Sequence, residues 1–113
     1  MATIKIENLQ KSFADFTAVK NSNLTINNKE FFVLLGPSGC GKTTLRMIAG
    51  LELPTSGKIY LDQDEVSLLR ASERDIAFVF QLFALYPHMN VKNNLAFPLK
   101  MQKYSRAEIK ERV

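Results

Sequence analysis

The sequence contains one cysteine, Cys40, and one histidine, His88, in 113 residues. A single thiol cannot build an internal disulfide framework and offers no cysteine cluster to a metal, which fits a reducing compartment. No apolar run approaches the roughly 18–20 residues that span a bilayer. The first residues, Met1-Ala2-Thr3-Ile4-Lys5, lack the basic flank and apolar stretch of a secretory signal. Charge of one sign is also scarce. Fifteen Lys+Arg against eleven Asp+Glu leave a net +4, too little to argue for a nucleic-acid or membrane partner. There is no internal repeat and no low-complexity segment. What is present is 46% apolar and 23% charged residues. That is the balance of one soluble globular domain with a modest core rather than a disordered chain, and a cytosolic location is expected.

Ile4, Ile6 and Leu9 open with an alternation that soon breaks, which predicts a first, edge strand. A β-branched stretch over 17–26, interrupted by Asn21-Ser22-Asn23, predicts a second strand, and Asn27-Asn28-Lys29 a tight turn. Phe31-Phe32-Val33-Leu34-Leu35 and Ile76-Ala77-Phe78-Val79-Phe80 are short continuous apolar runs, as expected of strands buried on both faces. Between them lie a helix over 42–49, with Leu45, Ile48 and Ala49 as its apolar face, and Gly50 as its C-terminal cap. A turn at Pro54-Thr55-Ser56-Gly57 comes next, and then a strand over 58–61. Pro87 and Pro98 bracket a short helix over 91–97. Ser105-Arg106-Ala107-Glu108 is a capping box that starts a last helix.

Gly36-Pro37-Ser38-Gly39-Cys40-Gly41-Lys42-Thr43 satisfies the phosphate-binding pattern G-x-x-x-x-G-K-[ST] in full. Glycines allow backbone torsions closed to other residues, so the N–H groups can turn inward around a polyphosphate. Lys42 can place its ammonium on the β- and γ-phosphates, and Thr43 can offer its hydroxyl to Mg²⁺. The helix that begins there aims the positive end of its dipole at the anion. A strand before the loop and a helix after it are the context this chemistry needs. Cys40 reads either as a small filler or as an oxidation-sensitive thiol near bound phosphate.

With these residues the sequence resembles the nucleotide-binding subunit of ATP-binding cassette (ABC) transporters, of the sugar and sugar-phosphate importer type. The resemblance runs from Met1 to Val113. It is carried by the loop with Leu35 and Thr44, by Arg46-Met47-Ile48-Ala49-Gly50-Leu51-Glu52, and by Pro54-Thr55-Ser56-Gly57. Arg74-Asp75-Ile76-Ala77-Phe78-Val79-Phe80-Gln81 and Ala84-Leu85-Tyr86-Pro87-His88-Met89 discriminate further, because generic phosphate-loop proteins do not carry them.

The resemblance implies an α/β fold: a partial P-loop core with an N-terminal antiparallel β-part, truncated at the start of the helical subdomain. The implied divisions are 1–30, 31–81 and 82–113. It implies ATP and Mg²⁺ as ligands, held by Gly36, Pro37, Ser38, Gly39, Cys40, Gly41, Lys42, Thr43 and Thr44. Gln81 would contact Mg²⁺ and the water near the γ-phosphate, sharing the catalytic role with Lys42 and the metal with Thr43. Phe13 would stack on adenine, although residues alone would make Phe13 and Phe16 core positions. The 81–89 region would receive membrane-spanning subunits, and a second ATPase subunit would complete the ATP site. The location implied is cytoplasmic, peripheral to the membrane, with no nucleic-acid partner. His88 is given neither a catalytic nor a metal role, and solute uptake, with a carbohydrate as solute, is the implied process.

The family's Leu-Ser-Gly-Gly-Gln signature, its Asp-Glu strand and its switch histidine are absent from these 113 residues. Phosphoryl transfer depends on positioned charge around the γ-phosphate, so negligible hydrolysis by this chain alone is expected. One residue is missing from the family's Thr-Leu-Leu-Arg-Met. That deletion would rotate the residues beyond it by about 100° and shift them by about 1.5 Å, putting the packing of 46–50 in question. Lys29 and Gln63 stand where the family turns on glycine, Arg70-Ala71 where it has Pro-Pro, and Ser22 at an apolar strand position. These departures point to a fragment or a decayed gene copy. The competing expectations are a non-enzymatic remnant that neither folds nor binds nucleotide on its own, and another P-loop enzyme such as a small kinase, against which Gln81 and 86–89 argue. The segment from Lys100 to Val113 carries five basic and two acidic residues, read as a solvated helix face.

Overall fold

A computed structural model describes residues 2–36 and 40–113, residue 40 by its backbone only. The chain divides into two compact units, Met1–Phe78 and Val79–Val113.

The first unit is built on a four-stranded antiparallel sheet in the order β2-β1-β3-β4. The strands are β1 (Ile4–Phe13), β2 (Phe16–Ile26), β3 (Ser56–Leu61) and β4 (Asp64–Glu65). β1, expected at an edge, is interior. Ile4 faces Ile26 on one side and Leu61 on the other, and Ile6 and Leu9 are fully buried. The break in its alternation is a bulge. Ile6 pairs with Leu24 and Leu9 with Ser22, so the extra residue returns Leu9 to the core face. Asn8 and Asn21 take the left-handed backbone there (φ 48° and 40°), and the Asn8 N–H donates to Asn23 Oδ1 at 2.9 Å. Gly57 faces the same bulge at φ 90°. A Cβ on it would lie 2.6 Å from the Leu9 Cα, against backbone that cannot step aside.

Helix α1 (Cys40–Ala49) adds Met47 and Ile48 to the core formed by Ile6, Leu9, Val19, Ile59 and Val66. Its buried face is Thr44, Met47 and Ile48, with Ala49, while Leu45 is 46% exposed. The expected stripe through Leu45 was one residue out of phase. Both sets fit the i, i+3, i+4 spacing, and the position of the sheet selects between them. Residues 47–49 are nonetheless well buried, so the helix tolerates its shortened sequence. Gly50 (φ 78°) closes it in a full Schellman motif: Gly50 N–H donates to Met47 O at 3.2 Å and Leu51 N–H to Arg46 O at 2.9 Å. Lys29 takes a left-handed backbone (φ 64°) as its turn demands, whereas at 62–63 it is Asp62 (φ 56°) rather than Gln63 that does so.

The two apolar runs differ from expectation. Residues 31–36 and 75–80 are not strands in the described structure, with Phe31 94%, Leu35 91% and Val79 82% exposed; Ile76 is half-buried against the core. A doubly buried strand needs a ladder of hydrogen bonds on both sides, which apolar character alone does not supply.

The second unit holds α2 (Val91–Met101) and α3 (Arg106–Arg112). α2 continues through Pro98 instead of ending before it, closing where Tyr104 N–H donates to Leu99 O at 3.1 Å and Lys103 turns left-handed (φ 62°). α3 begins with the expected box: Ser105 Oγ accepts from Glu108 N–H at 3.3 Å, and Glu108 Oε2 accepts from Ser105 N–H at 2.9 Å.

Candidate nucleotide-binding site

Residues 31–36, which form no regular element, precede the loop in sequence, and α1 starts at Cys40. Pro37, Ser38 and Gly39 of the expected phosphate cradle lie outside the described residues, as does the Cys40 side chain. Gly36, the first residue of the loop, is exposed, and Gly41, Lys42 and Thr43 occupy the first turn of α1. Lys42 is exposed, Thr43 half-buried and Thr44 buried at 8%. No acidic residue sits in that first turn, so the positive end of the helix keeps its full attraction for an anion. A Cβ on Gly41 would meet Leu34 only at 3.6 and 3.7 Å, an ordinary contact, so packing does not demand glycine there. A cation and a hydroxyl on a helix start that carries no carboxylate suit Mg·ATP.

The opposite end of α1 is held by a residue that the sequence did not single out. Arg74 is only 5% exposed. Its Nη1 donates to Met47 O at 2.6 Å and Ile48 O at 2.8 Å, its Nε to Leu69 O at 3.1 Å, and its Nη2 to Ser67 O at 3.3 Å. Burial lowers its pKa from the ordinary arginine value, but a guanidinium remains protonated at any physiological pH. These four acceptors are all backbone carbonyls. The negative end of the α1 dipole and the last carbonyls of the helix supply the compensation. In the sequence Arg74 heads one of the blocks that carry the family resemblance, but nothing there assigned it a role.

Phe13 and Phe16, paired across the β1–β2 turn, stack with ring centroids 5.4 Å apart and planes at 28°. They are 41% and 63% exposed, not the core residues that side-chain type alone suggested. Lys11 Nζ lies 5.2 Å from the Phe13 ring centroid and bridges to Glu52 at 2.7 Å.

Gln81 lies in the second unit, exposed, at the start of a turn over 81–84 in which Phe83 and Ala84 are left-handed (φ 62° and 51°). The loop over 86–89 is tied to α2 by Asn94. Its Oδ1 accepts from Tyr86 N–H at 2.9 Å, and its Nδ2 donates to Tyr86 O at 3.2 Å and Met89 O at 3.0 Å. The Tyr86 ring packs on Phe97 at 4.8 Å and meets His88 edge-on at 6.0 Å. Leu85, Tyr86, Pro87, Met89, Val91 and Leu95 line an apolar cleft of about 330 Å³ beside it. Asn94 was also missed, because an asparagine inside a helix gives no spacing signal. Among the described residues no cluster of His, Cys, Asp and Glu could hold a metal, and no helix is long and apolar enough to cross a membrane.

The family model described as ABC transporter matches residues 19–113. The chain belongs to that family. It is 54% identical over 114 residues to the spermidine/putrescine import ATP-binding protein PotA of Nitrosomonas eutropha, covering 100% of this chain and 31% of that protein. It is 50% identical over 120 residues to the trehalose/maltose import ATP-binding protein MalK of Thermococcus litoralis, covering 100% of this chain and 32% of that protein. The chain thus spans about a third of the length of these curated relatives. Among solved structures, the dimeric bacterial ABC transporter cassette MJ0796 matches with a TM-score of 0.81 and 35% identity over 96% of this chain and 53% of that one. Its post-hydrolysis form bound to ADP and Pi matches at 0.80 with 34% identity. The α/β fragment with its antiparallel sheet is therefore the N-terminal region of an ABC ATP-binding domain. The narrower reading as a sugar importer does not follow, since relatives named for polyamine import stand beside one named for sugar import.

Proposed function

We propose that this chain is the ATP-binding portion of an ABC importer subunit, and that its loop holds Mg·ATP. The observation that carries this reading is the complete phosphate-loop sequence leading into a helix start that presents Lys42 and Thr43 and no carboxylate. In this reading the loop from Gly36 to Gly41 wraps the phosphates, with Ser38, Gly39, Cys40 and Gly41 offering backbone N–H groups and Pro37, which has none, shaping the turn. Lys42 neutralises the β- and γ-phosphates, Thr43 binds Mg²⁺ through its hydroxyl, and Thr44 extends the cradle along α1. Phe13 offers its exposed ring to adenine, in keeping with its place at a hairpin tip. Gln81 serves as the second ligand near Mg²⁺ and orients water. Bound Mg²⁺ would neutralise charge that develops on the phosphates.

The divisions 1–30, 31–81 and 82–113 are part of the same reading. The apolar cleft beside the loop over 86–89 takes a membrane-spanning subunit, which places the chain peripherally at the cytoplasmic face. A second ATPase subunit, like the partner in dimeric MJ0796, closes the site. The solute is a polyamine or a sugar, the two classes that the relatives' names give. Carbohydrate import is the narrower form of the reading.

Calorimetric titration of Mg·ATP, with Lys42→Ala as control, tests it. Saturable binding lost in the variant is the expected result. A soluble chain that takes up no nucleotide would favour the other reading, a remnant without independent biochemistry, for which the exposed runs at 31–36 and 75–80 speak. Steady-state phosphate release from the 113 residues alone is expected to be negligible.

A further inference from the structure

We infer that Arg74 is a positioning residue of the phosphate-binding helix: by gripping the C-terminal carbonyls of α1 it sets where Lys42 and Thr43 stand at the other end. The inference rests on the Mg·ATP reading above and extends it to a residue outside the loop.

Three observations converge on the grip. Arg74 is buried and makes four hydrogen bonds to carbonyls in two chain segments, Met47 and Ile48 of α1 and Ser67 and Leu69 after β4. The segment after β4 is itself fixed to the sheet, because Ile59 N–H donates to Ser67 Oγ at 2.9 Å and Val66 N–H to Ile59 O at 2.8 Å. Gly50 makes the room: a Cβ there would stand 2.9 Å from Arg74 Nε and 2.8 Å from Ala71 N. Arg74 thereby joins the sheet to the last turn of α1 across 27 residues of sequence.

A ten-residue helix is a rod of about 15 Å, stiff on this scale. Packing of Met47 and Ile48 fixes which face of α1 meets the sheet, but apolar contact is non-directional and tolerates sliding along the axis. Directed bonds at one end remove that freedom, and the first turn moves with the last. The planar fork is what reaches four acceptors at once; a lysine ammonium has three donors on one point and cannot reproduce it.

The test uses the 113-residue chain with Arg74→Met, which keeps an apolar stem without donors, and Arg74→Lys. Mg·ATP affinity is read by calorimetry, and backbone amide hydrogen exchange is read without nucleotide. Arg74→Met is expected to weaken Mg·ATP binding about tenfold or more. The α1 amides should lose protection while those of β1 and β3 keep theirs, and Arg74→Lys should fall between the two. Affinity within twofold of the parent, or loss of protection spread equally over helix and sheet, would overturn the inference. Should Arg74→Met fail to fold, Arg74→Lys decides alone: parental affinity overturns the inference, and a severalfold loss with the sheet still protected supports it. If the parent chain itself binds no Mg·ATP, the nucleotide reading falls separately. The exchange pattern of α1 in Arg74→Met then shows whether the grip exists without it.

Discussion

The β1–β3 sheet and the runs at 31–36 and 75–80 are built from the same kinds of residue, yet only the first forms strands. β1 and β2 meet through a two-residue turn at Ala14-Asp15, and β3 and β4 through Asp62-Gln63, so these hairpin partners arrive with little chain to close, and β3 then adds to the ready edge of β1, Ile4 against Leu61. The two other runs are more uniformly apolar but are not strands in the described structure, and Phe31 and Leu35 stay almost wholly in water. Strand formation is therefore a property of a pair. Apolar character fixes the appetite for burial, and the partner fixes the strand.

The largest expected break in that contrast is Gly57→Ala. The added Cβ would collide with the Asn8 and Leu9 backbone at a φ that alanine resists, so the β1–β3 register cannot survive unchanged. Urea unfolding followed by circular dichroism should show a loss of about 3 kcal/mol or more. Leu9→Ala, at a fully buried position beside the same bulge, should cost about 2–4 kcal/mol in the same measurement.

Leu35→Ser tests the other side. It should change stability by less than about 0.5 kcal/mol, since the side chain is 91% exposed. Static light scattering should at the same time show less self-association, because an apolar unpaired run is a template for it. A loss comparable to that of Leu9→Ala would mean that the run is paired in solution.

The smallest effect concerns α3, which is ordered by its own first turn. The bonds from Ser105 to Glu108 lower the Glu108 pKa below the ordinary 4.5. A depressed carboxylate stabilises fully above its unfolded value and loses that contribution as pH falls through the folded one. The protection factors of the α3 amides, referred to the intrinsic exchange rate at each pH, should therefore fall only in that acidic window, while those of the sheet amides hold. Ser105→Ala should remove the pH step.

Locally closed features were legible. The capping box at 105–108, the αL cap at Gly50 and the turn at Lys29 each satisfy their own backbone groups within a few residues, and the phosphate-loop pattern is written in consecutive residues. Features that need a distant partner were not. The spacing of Leu45, Ile48 and Ala49 describes a helix face as well as Thr44, Met47 and Ile48 do, and Pro98 stops a helix only if its neighbours do not hold the next turn. The broken alternation at Leu9 gave no sign of which side the bulge would restore. Within the candidate site, the loop and Lys42 were readable because their chemistry is written in consecutive residues. The roles of Arg74 and Asn94 were not, because each bonds to backbone groups, which any residue supplies.

By itself, then, the sequence determined the phosphate-loop pattern, the C-terminal end of α1 and the start of α3, since torsional preference and short-range hydrogen bonds are decided within a few residues. The tertiary structure alone decided that β1 is interior, that Leu45 faces water, that the runs at 31–36 and 75–80 form no strand, and that Arg74 grips α1. Each of these depends on which surface arrives from a distant part of the chain, and burial is a property of the surfaces that meet rather than of either one alone.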